Sequence, residues 1–138
     1  MKLLGIDYGR RRIGVAATDV TGEYIRGCAT IDRKKCPDPI SALTEVIAAE
    51  SPDALVFGIP LGPNDEETAM SREIRTFAGE LTDAAQLTIP VHFIDESFSS
   101  VKAQQILRFQ KKKQRRNKQN IDRIAACSIL ESFQRQQQ

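Results

Sequence analysis

The sequence contains few of the residues that build zinc sites or disulfide frameworks. It has one histidine, His92, and three cysteines, which stand at positions 28, 36 and 127 without a C-x-x-C pair. A zinc site of familiar spacing is therefore excluded, and we expect free thiols in a reducing compartment. The sequence also lacks a Walker A loop and a nucleophile elbow, which argues against a P-loop NTPase and a serine hydrolase.

Long hydrophobic runs are missing as well. No stretch of about 18 apolar residues occurs, and the opening "MKLLGIDYG" lacks the apolar core of a signal peptide. We therefore expect no membrane span and a cytoplasmic location. With 138 residues, of which 41% are hydrophobic and 28% charged, the chain is typical of one globular domain over residues 1–138.

The charge is distributed unevenly along the chain. Residues 1–101 carry 10 Lys+Arg and 16 Asp+Glu, a balance of −6, whereas residues 102–138 carry 10 and 2, a balance of +8. Much of the positive charge lies in "KKKQRRNK", residues 111–118. Such a block is either a solvated loop or a nucleic-acid contact, and the residues alone leave both interpretations open.

Hydrophobic patterning predicts the element order βββαβαβαα. The segments "KLLGID", "RIGVAATD" and "EYIRGCATI" are typical of an antiparallel meander. Asp38-Pro39 predicts a helix start, followed by strand "ALVFGI", a long amphipathic helix, strand "VHFID" and two helices. The predicted fold class is α/β, with a mixed sheet flanked by helices.

Three finer expectations concern the helices. The segment "PNDEE" is expected to place acids at the start of the second helix, where the macrodipole favours them. Ser99 or Ser100 is expected to cap a helix that carries Val101, Ile106 and Leu107. One face of the last helix is expected to consist of Ile121, Ile124, Ala125, Ser128 and Ser132.

Carboxylates stand at strand ends and in the last helix. Asp7 ends the first strand, Asp95 and Glu96 end the fifth, and Asp122 lies in "NIDRIAACSIL". Carboxylates brought together repel each other, and a divalent cation such as Mg²⁺ would relieve that repulsion. Two such ions can activate water and stabilise the leaving oxygen in phosphodiester hydrolysis. Spacing leaves open whether the acids converge, because strand-end acids often serve turns and Asp122 could be an N-cap.

Four motifs follow one another along the chain. They are "GIDYGRRRIGVA" at 5–16, "GIP" at 58–60, "DESFSS" at 95–100, and the set Asp122, Ala125, Ala126, Ile129 and Leu130. Together they resemble the YqgF (RuvX) family, bacterial relatives of the RuvC Holliday-junction resolvase with an RNase H-like fold. The resemblance covers essentially the whole chain, and its first and last motifs are the most specific.

The resemblance implies a five-stranded RNase H-like nuclease, associated with maturation of the 5′ end of 16S ribosomal RNA. Asp7, Glu96 and Asp122 would be its catalytic acids and its ligands for Mg²⁺ or Mn²⁺. Asp95 is less favoured, because adjacent strand residues point to opposite faces. The expected nucleic-acid partner is a ribosomal RNA precursor, with branched DNA as the alternative, and a ribosomal particle is a further candidate partner. The residues expected to contact nucleic acid are Arg10, Arg11, Arg12, Lys102, Lys111, Lys112, Lys113, Arg115, Arg116 and Lys118.

The chain departs from the family pattern in two places. Ser97 replaces an arginine that follows Asp-Glu in the family, so Lys102 or the run Arg10–Arg12 would have to bind phosphate instead. The loop after "GIP" reads "LGPNDEE", which leaves the role of Asn64 open. Neither departure changes the three acids.

Other classes of protein share parts of this pattern. "GIDYG" also opens the actin/hexokinase/Hsp70-type ATPase domain, but those proteins close two such domains around the nucleotide. A non-catalytic RNA-binding factor would keep the fold and the basic segment, yet would gain nothing from acids near a phosphate. A resolvase acting on branched DNA would share the chemistry, and no base-reading motif separates RNA from DNA.

Overall fold

A computed structural model describes residues 1–96 and 118–137 of the chain. Its five strands form one mixed sheet with the order β3-β2-β1-β4-β5. The strands are β1 Leu3–Asp7, β2 Arg12–Thr18, β3 Ile25–Asp32, β4 Ala54–Ile59 and β5 Val91–Asp95.

The strand directions bring several strand ends to one edge of the sheet. β2 is antiparallel to β1 and to β3, whereas β4 is parallel to β1 and β5 is parallel to β4. The carboxyl ends of β1, β3, β4 and β5 therefore meet at the same edge, which we term the carboxyl edge. In parallel arrangements of this kind, ligands commonly bind at such an edge.

Three α-helices accompany the sheet: α1 Pro39–Glu50, α2 Ala69–Ala85 and α3 Lys118–Gln136. α1 begins as predicted, and the carboxylate of Asp38 accepts a hydrogen bond of 3.1 Å from the backbone N–H of Ser41. The described elements agree with the predicted order. The helix expected to carry Val101, Ile106 and Leu107 lies outside the described residues. None of the described helices is both long and apolar enough to cross a bilayer.

The two faces of the sheet have separate cores. On one face, large side chains of β1, β2 and β4 pack against α1 and α2, with Leu43, Ile47, Ile74, Phe77 and Leu81 among the buried helix residues. On the other face, a smaller core contacts α3 and contains Leu3, Ala16, Ala54, Val56, Ile94, Ala126, Ile129, Leu130 and Phe133. Each strand therefore divides its side chains between two cores, as the two-residue period of a β-strand requires.

The expectation for "PNDEE" is wrong. Pro63–Asp65 form a short 3-10 turn in which Asn64 and Asp65 have positive φ angles of 59° and 58°. α2 begins later, and no acidic residue lies in its first turn. The reason is local, because Thr68 and Ser71 form a capping box that fixes the helix start.

The predicted face of α3 is also wrong for most of its residues. Ser128 is buried, but Ile121, Ile124, Ala125 and Ser132 are only partly buried. The fully enclosed apolar residues of α3 are Ala126, Ile129, Leu130 and Phe133. Apolar residues occur on more than one side of this helix, so periodicity did not single out the face that meets the sheet.

Candidate active site

Asp7 lies at the carboxyl edge, on the face of the sheet that α3 covers. It is the last residue of β1, and Leu3, four residues earlier, belongs to the core that contacts α3. Residues at even spacing along a strand share a face, so the Asp7 side chain points to the α3 side. The strand thus fixes this carboxylate at a rigid position next to the last helix.

Glu96 follows β5 and extends the pairing between the parallel strands. Its backbone N–H donates a hydrogen bond of 3.0 Å to the carbonyl oxygen of Ile59. Its side chain lies over Gly58, where an added Cβ would come within 2.5 Å of the Glu96 carboxylate oxygen and 2.8 Å of Ile129. The missing side chain at Gly58 therefore makes the space in which the Glu96 carboxylate sits.

Asp122 lies inside α3, which begins at Lys118, so it is not the N-cap of this helix. Its backbone contacts β2 closely, because a Cβ at Gly14 would lie 2.1 Å from the Asp122 carbonyl oxygen. The side chain accepts a hydrogen bond of 2.8 Å from Nε of Arg12, the first residue of β2. The side chains of Arg12 and Asp122 are 24% and 16% exposed, so this ion pair is largely shielded from water.

Asp7 interacts electrostatically with both of the other predicted acids. Burial, and then the charge of Asp122, raises the pKa of Asp7 to about 7. Burial, and then the charges of Asp7 and Asp95, raises the pKa of Glu96 to about 8. Burial also raises the pKa of Asp122, although the hydrogen bond and charge of Arg12 oppose this effect. Asp7 is thus the central member of the group, since it interacts with each of the other two acids.

The three neighbouring arginines of the β1–β2 hairpin have different partners. Arg10 pairs with Glu73 of α2 at 3.1 Å, and Arg11 pairs with Asp32 at 3.3 Å. Arg12 turns to the acidic group instead, a contact that sequence reasoning missed. Gly14 in β2 was a signal for this contact, because a glycine inside a strand often marks a place where another backbone approaches closely. In the structure the backbone that approaches is that of Asp122.

The remaining predicted nucleic-acid contacts cannot be compared with side-chain positions. Lys118 is the first residue of α3. Lys102, Lys111, Lys112, Lys113, Arg115 and Arg116 lie outside the described residues, as does Ser97. Their binding of nucleic acid stays a prediction. His92 packs its ring against Phe133, with ring centroids 5.0 Å apart, which agrees with a packing role.

The family model described as RuvX, Holliday junction resolvase, matches residues 1–136. The chain belongs to the RuvX family. A relative from Nitratidesulfovibrio vulgaris, named "Putative pre-16S rRNA nuclease", is 40% identical over 133 residues, which is 96% of this chain and 92% of the relative. A protein of the same name from Crocosphaera subtropica is 36% identical over 130 residues, or 94% and 90% of the two chains.

Solved structures show the fold of this RuvX family member. RuvC of T. thermophilus, in complex with a Holliday junction substrate, has a TM-score of 0.58 at 15% identity and covers 99% of this chain and 96% of its own. The fowlpox virus resolvase, in complex with Holliday junction DNA, has a TM-score of 0.61 at 15% identity and covers 99% of both chains. The predicted RNase H-like fold is confirmed.

The RNase H-like fold implies a divalent cation at the acids of a RuvX protein. Carboxylate oxygens are the ligands that Mg²⁺ prefers, so the donor chemistry of Asp7, Glu96 and Asp122 fits such an ion. Among residues 1–96 and 121–137, however, no three His, Cys, Asp or Glu side chains are grouped closely enough to hold a metal. Asp122 is bound to the Arg12 guanidinium, which supplies a positive charge where a cation would bind.

Proposed function

We propose that this protein is a metal-dependent endonuclease that takes part in maturing the 5′ end of pre-16S ribosomal RNA. The observation that carries the proposal is the position of Asp7. Its carboxylate lies at the carboxyl edge and interacts with Glu96 on one side and Asp122 on the other. Asp7 is thus electrostatically coupled to an acid that follows a strand and to an acid of a helix, in a chain of the RuvX family.

The raised pKa values of Asp7 and Glu96 support a cation-binding role. A carboxylate whose pKa rises through burial and like charge is destabilised in its ionised form, and a cation would stabilise that form. Mg²⁺ or Mn²⁺ bound here would lower the pKa of a bound water and stabilise the leaving oxygen of the phosphodiester. Asp7 and Glu96 would hold the ion from the sheet side.

Asp122 would complete the donor set from the helix side. Because its carboxylate is bonded to Arg12, ion binding has to compete with a charge-assisted hydrogen bond. This bond favours the ionised form of Asp122 against the effect of burial, and it orients the carboxylate toward β2. Arg12 contacts the Asp122 carboxylate through its side chain, and it would face an incoming phosphate once Asp122 binds the ion.

The choice of RNA follows from the relatives. Two proteins that are 36–40% identical to this chain carry a name that refers to pre-16S ribosomal RNA. The description of the family and the likeness to resolvases support branched DNA as the second candidate substrate. Both substrates would be cleaved by the same chemistry, so a cleavage assay has to include both.

The test is a cleavage assay with Mg²⁺, Mn²⁺ or EDTA, on an RNA that spans a 16S precursor 5′ end and on a four-way DNA junction. Wild type is compared with Asp7→Asn, and with Asp83→Asn, which removes an exposed carboxylate from α2. We expect metal-dependent RNA cleavage that falls at least about 100-fold in Asp7→Asn and is unchanged in Asp83→Asn.

Other results would change the proposal in specific ways. Cleavage of the junction alone would keep the chemistry and assign the substrate as DNA. Absence of cleavage of both, on isolated RNA and on precursor ribosomal particles, would contradict the nuclease function. Full activity of Asp7→Asn would show that the acids described above are not the catalytic group.

A further inference from the structure

The turn that follows β3 carries three consecutive cations, Arg33, Lys34 and Lys35, which we term the basic turn. It lies at the carboxyl edge, because β3 ends at Asp32 beside the first residue of β2. The backbone N–H of Arg33 donates to the carbonyl oxygen of Arg11 at 2.9 Å. The basic turn is therefore joined to the β1–β2 hairpin, which begins directly after Asp7.

Arg33 forms no ion pair with a described residue, although its charge acts on the Glu73 carboxylate. Its Nη1 donates to the carbonyl oxygen of Gly9 at 3.0 Å, and its guanidinium lies 5.2 Å from the centroid of the Tyr8 ring. The Tyr8 hydroxyl in turn donates to Glu73 at 2.7 Å. An arginine fixed by a carbonyl and a ring keeps donors for a further anion and loses little entropy in binding it.

Lys34 and Lys35 are exposed, and neither forms an ion pair with any residue in the described part of the chain. Their backbone is ordered nevertheless. The N–H of Lys34 donates to the Asp32 carboxylate at 3.0 Å, and the N–H of Lys35 donates to the Asp32 carbonyl oxygen at 3.0 Å. The turn thus presents two ammonium groups on a fixed backbone, whereas Arg10 and Arg11 are paired with acids.

Among the described residues, the segment after β4 at the carboxyl edge has the opposite charge. The segment between β4 and α2 carries Asp65, Glu66 and Glu67, which are all exposed and which we term the acidic loop. Glu67 pairs with Arg75 at 2.6 Å, but Asp65 and Glu66 have no ion pair within the described ranges. A polyanion that approaches the acids would be attracted on the β3 side and repelled on the β4 side.

We infer that the basic turn is a binding site for the phosphate backbone of the substrate, and that the nucleic acid reaches Asp7 across the β3 side of the carboxyl edge. The inference rests on the proposed nuclease function and adds a surface that the sequence motifs did not indicate. Contacts of this kind position the strand without reading its bases. The acidic loop would keep the nucleic-acid strand on the β3 side of the carboxyl edge.

The experiment measures binding of a fluorescent single-stranded RNA, and of a DNA of the same sequence, by anisotropy over a range of NaCl concentrations. EDTA is present, so the substrate is not cut. The test variant is Lys34→Gln/Lys35→Gln. The control is Arg26→Gln/Arg135→Gln, which removes the same charge from exposed positions at the opposite end of the sheet and at the end of α3.

We expect the lysine variant to bind more weakly, with a slope of log affinity against log salt that is smaller by about 1.4 for the single strand, since each phosphate contact contributes about 0.7. The control should keep the wild-type slope. Equal losses in both variants would show an effect of net charge alone and overturn the inference, as would a lysine variant that binds like wild type.

Failure of this inference and failure of the proposed function give different results. If the basic turn is not a binding site, wild type and the lysine variant bind alike while metal-dependent cleavage persists. If the protein is not a nuclease, the cleavage assay fails for every variant even where the salt slopes differ. Absence of nucleic-acid binding by wild type would contradict both proposals.

Discussion

The face of the sheet that α1 and α2 cover is filled by large side chains, whereas the face that α3 covers combines small residues with acids. On the first face, Leu4, Ile6, Leu55 and Phe57 are fully buried against the two helices. On the second face, Gly14 and Gly58 lie where side chains would collide with α3 or with Glu96. One face of the sheet is therefore filled with large apolar side chains, and the other leaves space for the α3 backbone and the Glu96 carboxylate.

The difference separates the larger apolar core from the face that carries the acids. Large side chains fill the space between sheet and helices on the first face, where close packing and apolar burial stabilise the fold. On the second face, the missing side chains let the α3 backbone approach β2. Asp122 of the helix can then interact with Asp7 of the sheet, at the expense of a smaller apolar contact.

The largest change in stability is expected from Leu55→Ala. Leu55 is fully buried in the core that contacts α1 and α2, so its truncation should lower the free energy of unfolding by about 2–5 kcal/mol. Cleavage per folded molecule should remain near wild type at low temperature. Urea unfolding measures the free energy of unfolding, and a cleavage assay at equal concentrations of folded protein measures the activity. A large loss of activity in the folded fraction would contradict the separation of the two faces.

Gly14→Ala is expected to lower the cleavage rate strongly while most of the protein remains folded. The new Cβ would lie 2.1 Å from the Asp122 carbonyl oxygen, so α3 must shift and displace the Asp122 carboxylate. A displacement of about 1 Å can lower a rate about 100-fold, and we expect a loss of that size in metal-dependent cleavage. Circular dichroism and unfolding should show that most of the variant remains folded.

Gly79→Ala is the matched control for this substitution. Gly79 is exposed in α2 and has open space where a Cβ would be added. The change should therefore raise the free energy of unfolding by about 0.5–1 kcal/mol and leave cleavage unchanged. If Gly14→Ala left cleavage unchanged, as expected for Gly79→Ala, the close contact between α3 and β2 would not be what positions Asp122.

Of the changes expected at the acids, the smallest, at least about tenfold, concerns Arg12→Gln. This change removes the 2.8 Å hydrogen bond to Asp122 and with it a cation that competes for the carboxylate. Hydrogen bonds to charged groups contribute about 1.5–3 kcal/mol, so Mn²⁺ binding, measured calorimetrically without nucleic acid, should become at least about tenfold tighter. Arg12→Lys keeps the charge and should stay near wild type. Weaker binding of Mn²⁺ by Arg12→Gln would mean that Arg12 positions Asp122 for the ion.

Much of the fold followed from local pattern. Short apolar runs bounded by turn residues predicted all five strands, and Asp38-Pro39 predicted the start of α1. The acidic segment before α2 was assigned wrongly, because the capping box of Thr68 and Ser71 outweighs the preference of acids for a helix start. The buried face of α3 was missed, since only the sheet opposite decides which of its apolar residues are enclosed.

The sequence by itself determined the strand ends that carry Asp7 and Glu96, because strand boundaries depend on neighbouring residues and on a period of two. It also carried the motifs that identify the RuvX family. Only the tertiary structure decided that Asp122 bonds to Arg12 and that the basic turn lies beside the hairpin after Asp7. These contacts join residues far apart in the chain, and their distances depend on how closely helix and sheet can pack.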